Sequence, residues 1–311
     1  MTQRPFDAVA IGNAGIDTNV YLYDADIDFN VESNFSQNLD YVGQAGGYTS
    51  RGYAALGRRT AFIGHVGDDP NGRAVRERLA ADGIDTRALF IDPAGTARSV
   101  NFMYRDGRRK NFYDGKGHMA LAVDRDACRA VLRGARLAHV HLANWARTLL
   151  PVAREEGLVI ACDIQDVVDP DDAYRQDFIQ AADMLFFSAT NHPDPTWLIE
   201  RFCAGQPARV VVAGMGPQGC ALGTVDGVGT ATVRFFPPPP LNWPVVDTNG
   251  AGDGLAVGFL DSYVLGGYPA AESVIRGQIA ARHTCALRGT STGLIDRARL
   301  DATYEAIGGM G

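Results

Sequence analysis

Asp247 and Asp253 stand six residues apart in DTNGAGDGLAVGFL (247–260), with Gly250 and Gly252 between them and an apolar run directly after. The glycines allow backbone angles and close approaches that side chains forbid, and the run from Leu255 reads as a helix. Free N–H groups at a helix start carry partial positive charge and suit a phosphate. An acid placed there would repel a phosphate it had to bind, yet it makes sense as a base. Asp253 would take the proton of a hydroxyl while the amides hold the phosphoryl group being attacked. The same residues also allow a plainer reading, in which Asp253 caps its own helix and Asp247 with Thr248 makes a turn.

Other stretches invite chemistry and mostly decline it. GMGPQG (214–219) spells GxGxxG, but that motif should open a helix. Here Pro217 intervenes and the residues after it read as a hairpin. The loop can still touch nucleotide phosphates or ribose. His139 and His141 in AHVHLA would share one face of a strand as a metal pair. No third ligand at suitable spacing is evident, which favours partly buried strand histidines. RDGRRK (105–110) reads as a solvated hairpin tip, and PPPP (237–240) as a stiff extended linker. Five scattered cysteines with no CxxC pair read as reduced thiols.

Elements must hold these residues in place. Apolar strands FDAVAI, RTAFIGHVG, LAHVHLA, LVIACDI, DMLFFS and ARVVVAG alternate with helical segments near 124–133, 147–156, 172–182 and 195–204. Strand and helix in alternation mean a doubly wound, mostly parallel sheet flanked by helices. Two β excursions, at 19–42 and 96–117, interrupt this α/β body, and the second carries a turn at Asp106-Gly107. Residues 19–42 read as exposed strands. The two excursions would pair into a small sheet forming a lid, with 1–311 as one domain. Long helices follow at about 251–266 and 270–288.

The formal charge of −7 and pI near 5.4 argue against a general nucleic-acid binder. There is no signal-peptide layout and no run near the ~20 apolar residues of a membrane span, so a cytoplasmic protein without membrane or nucleic-acid partners is expected.

DTNGAGD resembles the DTxGAGD signature of the ribokinase-like, or PfkB, carbohydrate kinases. AIGNAGID, AALGRRTAFIGHVGDDPNGRAVRERLAADGID and VVAGMGPQGCAL resemble other family segments in order, from about residue 8 to 295. The resemblance implies a ribokinase-like fold with a β lid and transfer of the γ-phosphoryl of ATP, with Mg²⁺, to an alcohol. It implies that Asp253 is the base, that Gly250, Ala251 and Gly252 form the anion hole, and that Asp17 binds sugar hydroxyls. Asp247 matches a position that in some members helps a monovalent cation (K⁺) site. Asn13 and the loop with Gly43, Gln44, Gly46 and Tyr48 would join Asp17 on the acceptor, while Gly214, Gly216, Gly219, Ser188 and Asn191 lie on the nucleotide side.

The sequence departs from the family at three places. Gln44 replaces a glycine and Tyr48 an asparagine beside the acceptor, so sugar identity does not transfer. Ser188 and Asn191 stand where many relatives have NxxE, which removes a carboxylate from the metal network. Gly214 replaces a threonine. The expected acceptor is the hydroxymethyl group of a sugar or nucleoside. A sugar-phosphate kinase, with Arg105, Arg108 or Lys110 on the lid reading the phosphate, and a non-catalytic ligand sensor are the rivals. A homodimer through the lid is compatible with an exposed apolar face of Tyr21, Tyr23, Phe29 and Phe35.

Overall fold

The computed structural model describes residues 4–106, 108–204, 209–226 and 229–308. The chain opens with β1 (Ala8–Ile11), β2 (Gly15–Leu22), β3 (Ser36–Gly43), α1 (Ala45–Ala55), β4 (Thr60–Val66), α2 (Pro70–Ala81) and β5 (Asp85–Ile91). It continues with β6 (Arg98–Met103), β7 (Arg109–Asp114), α3 (Arg125–Leu132), β8 (Leu137–His141), α4 (Leu150–Glu155), β9 (Val159–Asp166), α5 (Ala173–Ala181) and β10 (Met184–Ser188). The last elements are α6 (Thr196–Cys203), β11 (Val210–Gly214), β12 (Cys220–Val225), β13 (Ala231–Phe236), α7 (Ala251–Leu260), α8 (Ala270–Cys285) and α9 (Arg297–Ala306).

Nine strands form one sheet in the order β13-β12-β11-β10-β9-β8-β1-β4-β5, parallel from β11 to β5. β12 and β13 add an antiparallel edge, as the hairpin reading of 219–236 expects. Alternate residues of β1 enter different cores: Val9 and Ile11 pack with α3 and α4 residues, Ala8 with those of α7 and α8. Both faces are covered, which is why the central strands read as unbroken apolar runs. From β1 the chain winds one way through β4 and β5 and later the other way through β8 to β11. The turning point lies at the carboxyl ends of β1 and β8, where such sheets bind ligands.

β2, β3, β6 and β7 form a second sheet in the order β3-β2-β6-β7. The two excursions do pair, but three expectations need correction. The sheet begins at Gly15, earlier than position 19. β2 is largely buried rather than exposed, because one of its faces closes over the cleft. Tyr21 is buried and its hydroxyl is bonded to Asp247, so it leaves the proposed apolar face; Tyr23, Phe29 and Phe35 are exposed. Gly107, half of the expected Asp-Gly turn, lies outside the described residues.

Local chemistry sets several helix starts. Asp69 accepts from the Gly72 amide at 2.7 Å and Pro70 follows it, which fixes the start of α2. The helix expected at 147–156 begins as a 3₁₀ turn over Asn144–Leu149, and α4 proper starts beside Pro151. α7 runs on as a π-helical turn over Asp261–Gly266, so the first long C-terminal helix reaches the expected end.

Candidate active site

The cleft lies between the lid sheet, the amino end of α7 and the carboxyl ends of β8 to β11. Gly250 starts α7 with φ of 72°, a left-handed angle that favours glycine. A Cβ there would lie 2.5 Å from the Tyr48 ring. Glycine at 250 is therefore required by backbone angle and by packing. Ala251 N donates to Thr248 O at 3.3 Å, and among the described residues the Gly252 and Asp253 amides of the first turn have no backbone partner. Gly252 is exposed and a Cβ on it would meet nothing within 4 Å, so open space lies over these donors.

No side chain among the described residues donates to the Asp253 carboxylate. Desolvation, followed by the nearby charges of Asp163 and Asp17, pushes its acid well above the usual carboxylate range. An N-cap aspartate is normally satisfied by amides and acidified by them. Gly250, not Asp253, occupies the N-cap of α7, and Asp253 lies in the first turn, where Arg109 and its own amide oppose the rise without cancelling it.

Across the cleft, Asp17 on β2 is 3% exposed. It accepts from Gln44 Nε2 at 2.6 Å, Gln44 N at 3.3 Å and Asn249 Nδ2 at 3.2 Å. Burial outweighs these bonds and raises its pKa to about 6. Gly43 is glycine because a Cβ would press to 2.3 Å from Asp17 Oδ2. Gln44 has φ of 66° and ψ of 155°, a region almost reserved for glycine. The glycine replaced here is thus one whose backbone shape was kept. In exchange the Gln44 amide grips both Asp17 and Ser99, the latter at 2.8 Å.

Tyr48 is buried beneath Gly250, and its hydroxyl meets Thr290, Tyr41 at 3.2 Å and Asn249 Nδ2 at 3.4 Å. It fills the space under the start of α7 and props Asn249 toward Asp17. Gly46 packs its backbone against Asn13, with Gly46 N donating to Asn13 O at 3.0 Å. Asn13 Nδ2 in turn donates to Tyr113 Oη at 2.5 Å, joining the acceptor loop to the lid.

Asp247 is 1% exposed and fully engaged. Its Oδ2 accepts from Asn19 Nδ2 at 2.6 Å and Tyr21 Oη at 2.5 Å, and its Oδ1 from Asn249 N at 2.8 Å. An asparagine ladder extends this link across the lid: Asn101 donates to Asn19 Oδ1 at 2.9 Å, and Asn111 to Asn101 Oδ1 at 2.7 Å. Asp247 therefore clamps the lid to the 247–250 loop.

The nucleotide-side residues sit at the ends of β10 and β11. Among the described residues Ser188 Oγ bonds only Thr190 Oγ1, at 2.7 Å, and Asn191 is exposed. Gly214 ends β11; Gly216 opens a short 3₁₀ turn and Gly219, with φ of 95°, closes it into β12. No helix follows, so the dinucleotide reading of GMGPQG fails for the reason expected.

Two groups escaped sequence reasoning. Arg109, from the lid, donates to Asn249 Oδ1 at 2.8 Å beside the anion hole. Arg108 next to it pairs with Asp106 at 2.6 Å and Asp26 at 3.3 Å, away from the cleft. Strand alternation was the available signal: Arg109, Asn111 and Tyr113 share the face that bonds to Asn249, Asn101 and Asn13. The second group is Asp163, which pairs in register with His141 on parallel strands. It joins His141 and Asp253, one ligand atom from each lying within 4.8 Å of the others. The expectation that the histidines lack a third ligand is corrected for His141. His139 follows the bland expectation: it is buried, with Nδ1 3.0 Å from Tyr53 Oη.

The pfkB family carbohydrate kinase model matches residues 7–297. An acarbose 7(IV)-phosphotransferase from an Actinoplanes species is 32% identical over 94% of this chain and 97% of its own. The solved microbiome-derived acarbose kinase Mak1 superposes with a TM-score of 0.86 at 28% identity, covering 96% of this chain and 98% of that one. A putative ribokinase II from E. coli, solved with ATP and Mg²⁺, has a TM-score of 0.77 at 17% identity over 97% of this chain and 99% of its own.

Proposed function

The chain belongs to the pfkB family of carbohydrate kinases, and from that premise we propose that it moves the γ-phosphoryl group of ATP to a hydroxymethyl group of a sugar, with Asp253 as general base. That it is a sugar kinase follows from the family; the donor, the base and the acceptor position are the proposal. One observation carries it. Asp253 stands at the amino end of α7 with no side-chain donor, opposite Asp17 and beneath open space.

In this reading Asp17 accepts from ring hydroxyls, with Asn249 and Gln44 fixing its orientation. Asp253 takes the proton of the reacting hydroxyl as the oxygen attacks phosphorus, and ADP leaves. Its raised pKa favours this, since a base works best when its pKa nears the working pH. The Gly252 and Asp253 amides face charge that grows on the transferring group, and Arg109 adds a cation from the lid. Catalysis is then positioning and charge stabilisation.

Mg²⁺ prefers oxygen ligands, keeps waters and needs only one or two carboxylates besides phosphates. Ser188 and Asn191 bring no charge. Asp163 does: its Oδ1 accepts from Gln165 N at 2.8 Å and its other oxygen has no partner among the described residues. Asp163 is therefore the residue that would hold the nucleotide's Mg²⁺, which neutralises phosphate charge when bound. Asp247 already accepts three hydrogen bonds, and no step is assigned to K⁺.

The acceptor we favour is an oligosaccharide of the acarbose kind. Two relatives carry that name. Of the three lid cations that the sugar-phosphate reading would use, Arg105, Arg108 and Lys110, Arg108 is tied up in ion pairs. ADP release with Mg²⁺ and ATP, measured against acarbose, maltooligosaccharides, hexoses, pentoses, sugar phosphates and nucleosides, tests the assignment. Turnover with acarbose or a maltooligosaccharide above that with free hexoses is expected. Turnover confined to sugar phosphates or nucleosides would overturn it.

A further inference from the structure

We infer that His141, Asp163 and Asp253 form a direct binding site for a divalent transition ion such as Mn²⁺, filled without nucleotide and sharing Asp163 with the Mg²⁺ that ATP would bring.

His141 is 2% exposed. Its Nε2 lies 3.0 Å from Thr49 Oγ1, whereas its Nδ1 is buried and has no hydrogen-bond partner. A buried nitrogen without a partner is costly unless something binds it. The Thr49 hydroxyl donates to Ala45 O, so His141 Nε2 donates to it and the lone pair of the neutral ring lies on Nδ1. Asp163 has one oxygen free and Asp253 meets no side-chain donor.

One ligand atom from each of the three lies within 4.8 Å of the others. Metal bonds of about 2.0–2.2 Å place donors about 3–4 Å apart, so small side-chain rotations close the set. A mixed set of one imidazole and two carboxylates suits Mn²⁺ or Zn²⁺ and disfavours Mg²⁺, which wants oxygen alone. The three ligands come from the ends of adjacent strands β8 and β9 and from α7, rigid elements that preserve their spacing.

An ion held here occupies an oxygen of the base. Mn²⁺ in excess of nucleotide should therefore inhibit turnover, and this consequence alone rests on the Asp253 reading. The test is electron paramagnetic resonance of Mn²⁺ added to nucleotide-free protein, with pulsed detection of nitrogen coupling. Mn²⁺ avoids confusion with binding of Zn²⁺ to cysteine. We expect one bound Mn²⁺ per chain with coupling to a single imidazole nitrogen. Asp163→Asn should weaken it at least about tenfold, and His141→Gln should abolish the coupling in protein shown to be folded by circular dichroism. Absence of bound Mn²⁺ at millimolar concentration, or bound Mn²⁺ without nitrogen coupling, would overturn the site. Coupling present together with turnover indifferent to excess Mn²⁺ would keep the site and sink Asp253 as the base.

Discussion

On the lid side of the cleft, Asp17 is buried and accepts from Gln44 and Asn249, and Asn249 is itself braced by Arg109 and the two tyrosines Tyr41 and Tyr48. On the opposite side, Ser188 bonds Thr190 two residues on, Asn191 is exposed, and Gly214 carries no side chain. One wall is a finished hydrogen-bond lattice and the other is mostly backbone. In the proposed reading, the difference follows from what each wall must read. Ring hydroxyls are distinguished by fixed donors and acceptors, and a polar group built to match them penalises any ligand that leaves it unpaired. Nucleotide phosphates can be held by amides and a metal whose geometry the phosphates themselves supply.

The comparison can be broken first at Asp17. Asp17→Ala should lower kcat/KM for the acceptor by about 10²–10³-fold, the scale of losing a charged hydrogen-bond acceptor with partners left stranded. The Kd for ATP, measured by calorimetry, should move less than about twofold. Equal losses on both substrates would mean that the two walls are not independent. Arg109→Ala comes next, with about a tenfold fall in kcat and little change in acceptor KM, as expected of a cation that acts on developing charge. A rise in acceptor KM alone would make Arg109 a simple brace for Asn249.

Asp163 tests the electrostatics between the walls. Its charge disfavours ionisation of Asp253, and a base works only when deprotonated. Activity should therefore fall as pH drops through the raised pKa of Asp253. In Asp163→Asn the acid limb of kcat/KM should move to lower pH; an unmoved limb would mean that some other group titrates.

Much of this was legible in the chain. The parallel sheet followed from apolar strands alternating with helices, and Asp253 stood out because an acid at a glycine-rich helix start has few uses. The asparagine ladder Asn19-Asn101-Asn111 was not legible, since its members come from strands whose register no local pattern sets. The same holds for Asp163, which meets His141 only through the pairing of β8 with β9. Gln44 was visible as a departure, yet its left-handed backbone was not, because the residue type argues against it.

That strain yields a smaller prediction. Gln44→Gly and Gln44→Ala both lose the amide that grips Asp17, but only glycine relaxes the backbone. The glycine variant should be the more stable by about 1–2 kcal/mol in urea unfolding, and equal stabilities would mean that the angle costs nothing. Smallest of all, Gly214→Thr should be accommodated, since a Cβ there meets only ordinary contacts at 3.7 Å and 3.8 Å. It adds one hydroxyl to the sparse wall and should lower KM for ATP by about two- to threefold, a fraction of a hydrogen bond's worth. A larger gain would show that the nucleotide wall depends on side chains after all.

The central claim is that Asp253 removes the acceptor proton, and kcat of Asp253→Asn at saturating ATP and acceptor tests it most directly. The account predicts a fall of about 10²–10⁴-fold with ATP affinity and melting temperature nearly unchanged. A kcat within about tenfold of the parent, in a variant that binds ATP normally, would contradict it.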